Sequence, residues 1–148
     1  MDGTDFIKTA ELLCQNVSHE AHQRSATSRA YYACFLVTRS TVFKNAPKKS
    51  LFACASVSQE PDIKHSLLRR WLKNCKNELV RRLGQDLGDL FVERGKADYA
   101  MDRAYTHEKA REAVDNAREY LRQLEATEPS LIGSQVDESL RQEHPGRT

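Results

Sequence analysis

The chain concentrates reactive side chains in one short segment, Arg94-Gly95-Lys96-Ala97-Asp98-Tyr99. Arg94 and Lys96 are cations, which can stabilise the negative charge that builds up on a phosphate group during a reaction. Asp98 is a carboxylate that could hold a neighbouring side chain in place. Tyr99 could donate a hydrogen bond, but a phenol with a pKa of about 10 is a poor base at neutral pH. This segment is the first candidate site.

A second candidate is Arg29, which lies in a segment of small and aromatic residues between Ser25 and Phe43. Alanines recur there at helical spacing, which predicts a central and mostly buried helix. Because a guanidinium is costly to bury alone, we expect an anionic group near Arg29, such as Asp98 on another helix. An alternative is that Arg29 and Tyr32 join the first candidate site in a buried network that ties the last two helices together.

The segment from Asp62 to Leu83 has the strongest helical periodicity in the chain, with apolar residues at every fourth position. Its outer face is basic, and between residues 64 and 82 its cations are opposed only by Glu78. A solvated helix surface would explain this charge, whereas the near absence of acids favours a surface that binds phosphates. Five of its cations, named here the basic surface, are predicted to bind RNA together with Lys96: Lys64, Arg69, Arg70, Lys73 and Lys76.

Composition places the chain among water-soluble proteins of one small domain. It has 148 residues, of which 39% are hydrophobic and 30% charged, with a net charge of +2. No apolar run approaches the length of a membrane span or of a signal peptide's core, so we expect a cytoplasmic protein with no membrane partner. The four cysteines are far apart and the histidines are not clustered, which supports neither a zinc site nor a redox motif. We expect no metal and no cofactor.

The hydrophobic periodicity predicts an all-α fold. Long helices are expected over about 6–17, 19–44, 62–83 and 106–125, with a shorter helical segment that ends at Gly95. The last helix has a narrow face of small residues, which suits packing against the small face around Ala30. Residues 46–62 are expected to form a loop. We expect one helical domain over residues 1–126 and a flexible polar tail over 127–148, with at most a weak helix from Val136 to Gln142.

Two motifs together resemble a known family: Ser28-Arg29-Ala30-Tyr31-Tyr32-Ala33-Cys34-Phe35 and Arg94-x-x-Ala97-Asp98-Tyr99. In this order, with Lys64-His65 at the start of the helix between them, the chain is similar to small stand-alone prokaryotic HEPN-domain proteins that carry S-R-A-Y-Y-A-x-F and R-x-x-A-D-Y. The resemblance covers roughly residues 6–125. It implies an up-and-down bundle of four to five helices, usually a homodimer. Many HEPN proteins are metal-independent endoribonucleases of toxin–antitoxin or antiphage systems.

The resemblance implies RNA as a partner, and a nucleotidyltransferase antitoxin or a defence-complex subunit as a protein partner. The candidate catalytic residues are Arg94, Asp98 and Tyr99, with Arg29 and Tyr32 as a supporting network. His65 is added as a catalytic candidate because it could substitute for the histidine that the family pattern expects after the arginine, and His107 is an alternative substitute. Ribonucleases of the family carry a histidine that is separated from the arginine by four to six intervening residues, and this chain has Tyr99, Ala100 and Met101 at those positions. The departure favours an alternative function, a non-catalytic module that binds RNA, a nucleotide or a partner protein. His65 could equally be an ordinary surface or capping histidine.

Overall fold

The structure, a computed structural model, describes residues 2–146. Within that range the chain forms helices and no strand, so the predicted all-α class is confirmed. Residues 2–146 form seven α-helices rather than the expected four to five: α1 Gly3–Cys14, α2 Glu20–Asn45, α3 Lys48–Cys54, α4 His65–Lys73, α5 Glu78–Tyr99, α6 His107–Ala126 and α7 Pro129–Glu143. A 3₁₀ turn covers Glu60–Asp62. None of the helices in residues 2–146 has the length and apolar character of a membrane-spanning segment.

The helices form two compact units. The first unit contains the residues up to Val37 together with Leu87–Arg122. The second unit contains Thr38–Asp86 and the residues from Gln123 onward. The unit boundaries fall within α2, α5 and α6, so each of these helices contributes residues to both units.

In the first unit, the core is built on the small face of α2. Ala26, Ala30 and Ala33 are completely buried, as the helical spacing predicted. The Cys34 thiol of the same helix donates to the Ala117 carbonyl of α6 at 3.5 Å. The small faces of α2 and α6 therefore pack against each other, because side chains this short allow two helix backbones to approach closely. Aromatic residues complete the core, and Tyr31 stacks on Phe35 and meets Phe91 edge-on.

In the second unit, α7 replaces the flexible polar tail that the composition indicated. Ile132, Val136 and Leu140 of this helix are completely buried, and α7 contacts both α3 and α4. Gly133 lies so close to the end of α2 that a Cβ atom there would stand 2.2 Å from the Asn45 carbonyl oxygen. The expectation was wrong because three apolar residues spaced four apart form a complete buried face on a short helix, although the segment as a whole is polar.

The expected helix over 62–83 is interrupted, and the helix break expected at Gly95 does not occur. α4 ends at Lys73, and Asn77 begins α5 by accepting the Val80 N–H on its side-chain oxygen at 3.2 Å. α5 then continues through three glycines to Tyr99. Glycine weakens a helix interior without ending it when the backbone hydrogen bonds are kept. The expected loop over 46–62 also contains α3 and the 3₁₀ turn.

Candidate functional site

An open groove of about 570 Å³ lies in the first unit, between α2 and the C-terminal turn of α5. Both sequence motifs line it. Its lining includes Ser25, Ser28, Arg29 and Tyr32 from α2, and Asp98 and Tyr99 from α5. Two segments that are about seventy positions apart in the chain therefore form one surface. The groove is the best-supported candidate site because it brings together the arginine, carboxylate, hydroxyl and phenol groups that the motifs contain.

Arg94 stands beside this groove and is held by its neighbours. Its Nε lies 2.8 Å from Oδ2 of Asp98, a close ion pair in which the N–H bond does not point directly at the oxygen. Its Nη2 donates to the Tyr32 hydroxyl at 3.1 Å. The guanidinium carbon lies 5.3 to 5.9 Å from the ring centres of Tyr32, Phe91 and Tyr99. Only 16% of the side chain is exposed, so the positive charge of Arg94 is largely engaged inside the protein.

Asp98 connects the two walls of the groove. Besides the ion pair with Arg94, its Oδ2 accepts a long hydrogen bond of 3.4 Å from the Ser28 hydroxyl on α2. The spacing of four residues puts Arg94 and Asp98 on one side of α5, where such pairs meet. Of the roles considered for Asp98, holding Arg94 is the one that this geometry matches.

The expected anion beside Arg29 is not found among the described residues. The side chain is exposed, and its guanidinium carbon lies 5.4 Å above the ring of Phe6. Arg29 stands at the edge of the buried face of α2, so its charged end reaches water and needs no carboxylate. The expectation of a carboxylate beside Arg29 was therefore wrong, and the charge of Arg29 is accessible at the rim of the groove.

Arg24 is a buried arginine of this unit that sequence reasoning missed. Only 8% of the residue is exposed, and its guanidinium donates to four backbone carbonyls: Lys96 at 3.3 Å, Ala97 at 2.8 Å, Ala100 at 3.2 Å and Arg103 at 2.6 Å. It also binds Glu20 at 2.9 Å. These carbonyls belong to the C-terminal end of α5 and the connection after it, where a helix leaves acceptors unpaired and favours a cation. Arg24 therefore fixes the turn that carries Asp98 and Tyr99.

The two tyrosines near this turn differ sharply. Tyr99 is 74% exposed and projects from the last residue of α5. Tyr105 is buried, donates to Glu93 at 3.0 Å and shares a 2.8 Å hydrogen bond with Thr27. Burial is the main cause that raises the pKa of Tyr105, so its phenol stays protonated and neutral at physiological pH. Tyr99 is thus available to a ligand, whereas Tyr105 is part of the core.

Hydrogen bonding lowers the pKa of the Glu20 carboxylate, which pairs with Arg24. The main cause is the Tyr105 backbone N–H, which donates to Glu20 at 2.9 Å, and the hydrogen bond from Arg24 adds to it. Both donors favour the charged form of the carboxylate. Glu20 is therefore ionised at neutral pH and links the start of α2 to the connection before α6.

The remaining predicted residues lie mostly in the second unit. His65 is the first residue of α4 and is partly buried. Four residues of the basic surface lie on α4 or just before it, and Lys76 lies in the connection before α5. Lys96 is in the first unit, with its Nζ 3.8 Å from a Glu93 carboxylate oxygen. Neither His65 nor Lys96 nor any residue of the basic surface is among the described residues that line the groove.

The basic surface also has acidic partners that the sequence analysis did not foresee. Arg70 binds Glu143 through two hydrogen bonds of 2.9 and 3.3 Å, and Lys76 lies 3.2 Å from Glu138. Both glutamates belong to α7, the helix that was expected to be a flexible tail. The interpretation of this face as almost uncompensated was therefore wrong. The charge pattern of residues 64–82 alone cannot reveal these ion pairs, because both glutamates lie far away in the sequence.

The described residues contain no cluster of three or more potential metal ligands. All four cysteines are buried free thiols. Burial raises the pKa of Cys75 to about 12 and raises that of Cys34 as well, so these thiols are unreactive packing groups. No histidine is among the described residues that line the groove.

Comparison with protein-family models, with curated proteins and with solved structures found no match to this chain.

Proposed function

We propose that this chain is a HEPN-like protein that binds single-stranded RNA in the groove of its first unit without cleaving it. The observation that carries the proposal is the presence of an exposed cation and an exposed aromatic ring on one open groove, Arg29 from α2 and Tyr99 from α5. Proteins that bind single strands combine these two features, because a cation attracts the phosphate backbone and a ring stacks on a base.

Each groove residue has a role in this proposal. Arg29 contacts a backbone phosphate from the rim, where its charge is exposed to water. Tyr99 stacks on an unpaired base, an interaction worth about 1–3 kcal/mol per base. The hydroxyls of Ser25 and Ser28 offer hydrogen bonds to sugar or base atoms. Together these groups hold a short stretch of RNA.

Cleavage has weaker support than binding. Hydrolysis of RNA without a metal needs a base for the 2′-hydroxyl, an acid for the leaving oxygen and a cation for the charged phosphate. The charge of Arg94 is already engaged by Asp98 and Tyr32. No imidazole stands among the described residues of the groove to act as the base. Metal-independent ribonuclease activity is the second candidate function, and it would be detected as cleavage of the labelled RNA in EDTA.

The setting of this function follows from the motif resemblance. We place the protein in the cytoplasm, as a homodimer that works beside a nucleotidyltransferase antitoxin or as a subunit of a defence complex. Sedimentation equilibrium of the purified chain, whose mass is 16.9 kDa, tests the dimer directly.

The experiment is fluorescence anisotropy with a short labelled single-stranded RNA of mixed sequence, in EDTA. Tyr99→Ala is expected to weaken binding roughly 5- to 150-fold through the loss of one stacking interaction. Arg29→Gln is expected to weaken binding and to reduce the salt dependence by about one phosphate contact. Two matched controls should bind like the wild type: Leu12→Ala, at another exposed apolar residue, and Arg111→Gln, with the same charge change on α6.

The outcomes separate the candidates. A folded wild-type protein that does not bind the RNA refutes the proposal, and so does equal loss of binding in the variants and their controls. Metal-independent ribonuclease activity would be established instead if three results are found together: the wild type cleaves the RNA in EDTA, Arg94→Ala does not, and Arg94→Lys retains part of the activity. Circular dichroism of each variant shows whether the fold is intact.

A further inference from the structure

The basic surface is shielded from within its own unit. Two of its five cations, Arg70 and Lys76, form ion pairs with Glu143 and Glu138 of α7. Lys73 is exposed and has no ion pair among the described residues, and Lys64 is exposed and reaches only the Pro61 carbonyl, at 3.3 Å. The surface therefore presents fewer free cations than its sequence indicates.

The pairing of Arg70 with Glu143 matches the way an arginine binds a phosphate. Nε and Nη2 of Arg70 donate to the two separate oxygens of Glu143, at 2.9 and 3.3 Å. Guanidinium groups hold carboxylates and phosphates through this same two-pronged contact. A phosphate that approached Arg70 would have to displace the glutamate from these donors.

We propose that Glu138 and Glu143 of α7 compete with RNA phosphates for Lys76 and Arg70, so that α7 limits the RNA affinity of the basic surface. This inference rests on the proposed RNA-binding function and adds a second contact surface to it. The Lys76–Glu138 pair is easily exchanged because both of its side chains are exposed, and exposed ion pairs contribute little net stability. Only 19% of the Glu143 side chain is exposed, so its pair with Arg70 is the stronger of the two competitors. The cations also remain accessible, with 70% of the Lys76 side chain and 55% of the Arg70 side chain exposed.

The competing groups are side chains and not the helix as a whole. α7 is anchored by completely buried Ile132, Val136 and Leu140. RNA therefore needs only to displace two glutamate side chains, and α7 keeps its place in the unit. For the same reason, neutral substitutions at Glu138 and Glu143 leave the buried face of α7 unchanged.

The test is the double variant Glu138→Gln/Glu143→Gln, compared with the matched control Glu125→Gln/Glu128→Gln. Glu125 and Glu128 are exposed and have no ion pair among the described residues, so the control makes the same change in net charge. Binding of the labelled single-stranded RNA is measured between about 50 and 200 mM salt, the range over which phosphate contacts strongly change affinity.

We expect the double variant to bind RNA roughly three- to tenfold more tightly than the control at the lowest salt, since it frees two cations. Two added phosphate contacts steepen the dependence of log K on log salt by about 1.4, which is about sevenfold over a fourfold rise in salt, so most or all of this gain is expected to disappear at the highest salt. Adding Arg70→Gln and Lys76→Gln should remove the gain.

The two failures are distinguishable. If the wild type binds RNA and the double variant binds no more tightly than its control, the competition is refuted and the proposed function stands. If the gain survives Arg70→Gln and Lys76→Gln, the glutamates act on other cations, which also refutes the inference. If none of the proteins binds RNA, the proposed function itself fails.

Discussion

Replacing Arg24 by methionine removes the guanidinium that fixes the C-terminal end of α5 and keeps most of the side-chain volume. Two of its contacts are the short ones, to the carbonyls of Ala97 at 2.8 Å and Arg103 at 2.6 Å. A hydrogen bond to a charged group contributes about 1.5–3 kcal/mol. Water can replace the donors at the more exposed carbonyls, so we expect a net loss of about 2–4 kcal/mol in the free energy of unfolding.

For a chain of this length, each kcal/mol shifts the melting temperature by about 2–4 °C, so Arg24→Met should melt roughly 4–16 °C lower. Arg24→Lys should recover only part of this loss, because one ammonium cannot reach carbonyls on both sides as a planar guanidinium does. The assay is thermal and urea denaturation followed by circular dichroism. Amide hydrogen exchange shows where the structure is loosened, because the Tyr105 N–H that donates to Glu20 should lose its protection in Arg24→Met.

The matched control is Arg118→Met in the same unit. Arg118 pairs with Glu11 at 2.8 Å, but 58% of its side chain is exposed, and within residues 2–146 its guanidinium donates to no backbone carbonyl. Exposed pairs of this kind contribute about 0–1 kcal/mol. If Arg24→Met is no more destabilising than Arg118→Met, the buried guanidinium does not hold this end of α5, and the reasoning fails.

Two further predictions concern the pH dependence of stability and the effect of substituting two glycines of α5. Hydrogen bonds, chiefly from the Tyr105 N–H, lower the pKa of Glu20 in the folded state. The stabilisation of the fold by the charged Glu20 side chain is therefore fully present above the ordinary pKa of 4.5, and it is lost as the pH falls through the folded-state pKa. The stability difference between wild type and Glu20→Gln in urea should therefore shrink in acid, and a constant difference would contradict the argument. Gly84→Ala should destabilise the protein, since its Cβ would lie 2.7 Å from the Lys73 nitrogen, whereas Gly88→Ala, with open space around it, should stabilise α5 by about 0.5–1 kcal/mol. Equal melting temperatures for the two variants would refute this contrast.

Local patterns in the chain were sufficient to predict much of the fold. The small residues of α2 predicted a buried face, and Ala26, Ala30 and Ala33 are buried. The narrow face of α6 predicted contact with that helix, which the Cys34–Ala117 hydrogen bond confirms. These features follow from residue type and helical spacing, since a face of small side chains can be buried only against a neighbour that approaches closely.

The same local patterns did not identify the partners of charged side chains when those partners come from a distant part of the chain. Arg24 and Arg29 are both arginines of α2, yet Arg24 is buried because the carbonyl groups at the end of α5 stand beside it, and Arg29 reaches water. The basic surface looked uncompensated because Glu143 lies 73 residues after Arg70 and Glu138 lies 62 residues after Lys76. Sequence spacing specifies which face of a helix a charge occupies, whereas tertiary packing alone decides which group meets that charge, because ion pairs and hydrogen bonds act only over a few ångströms.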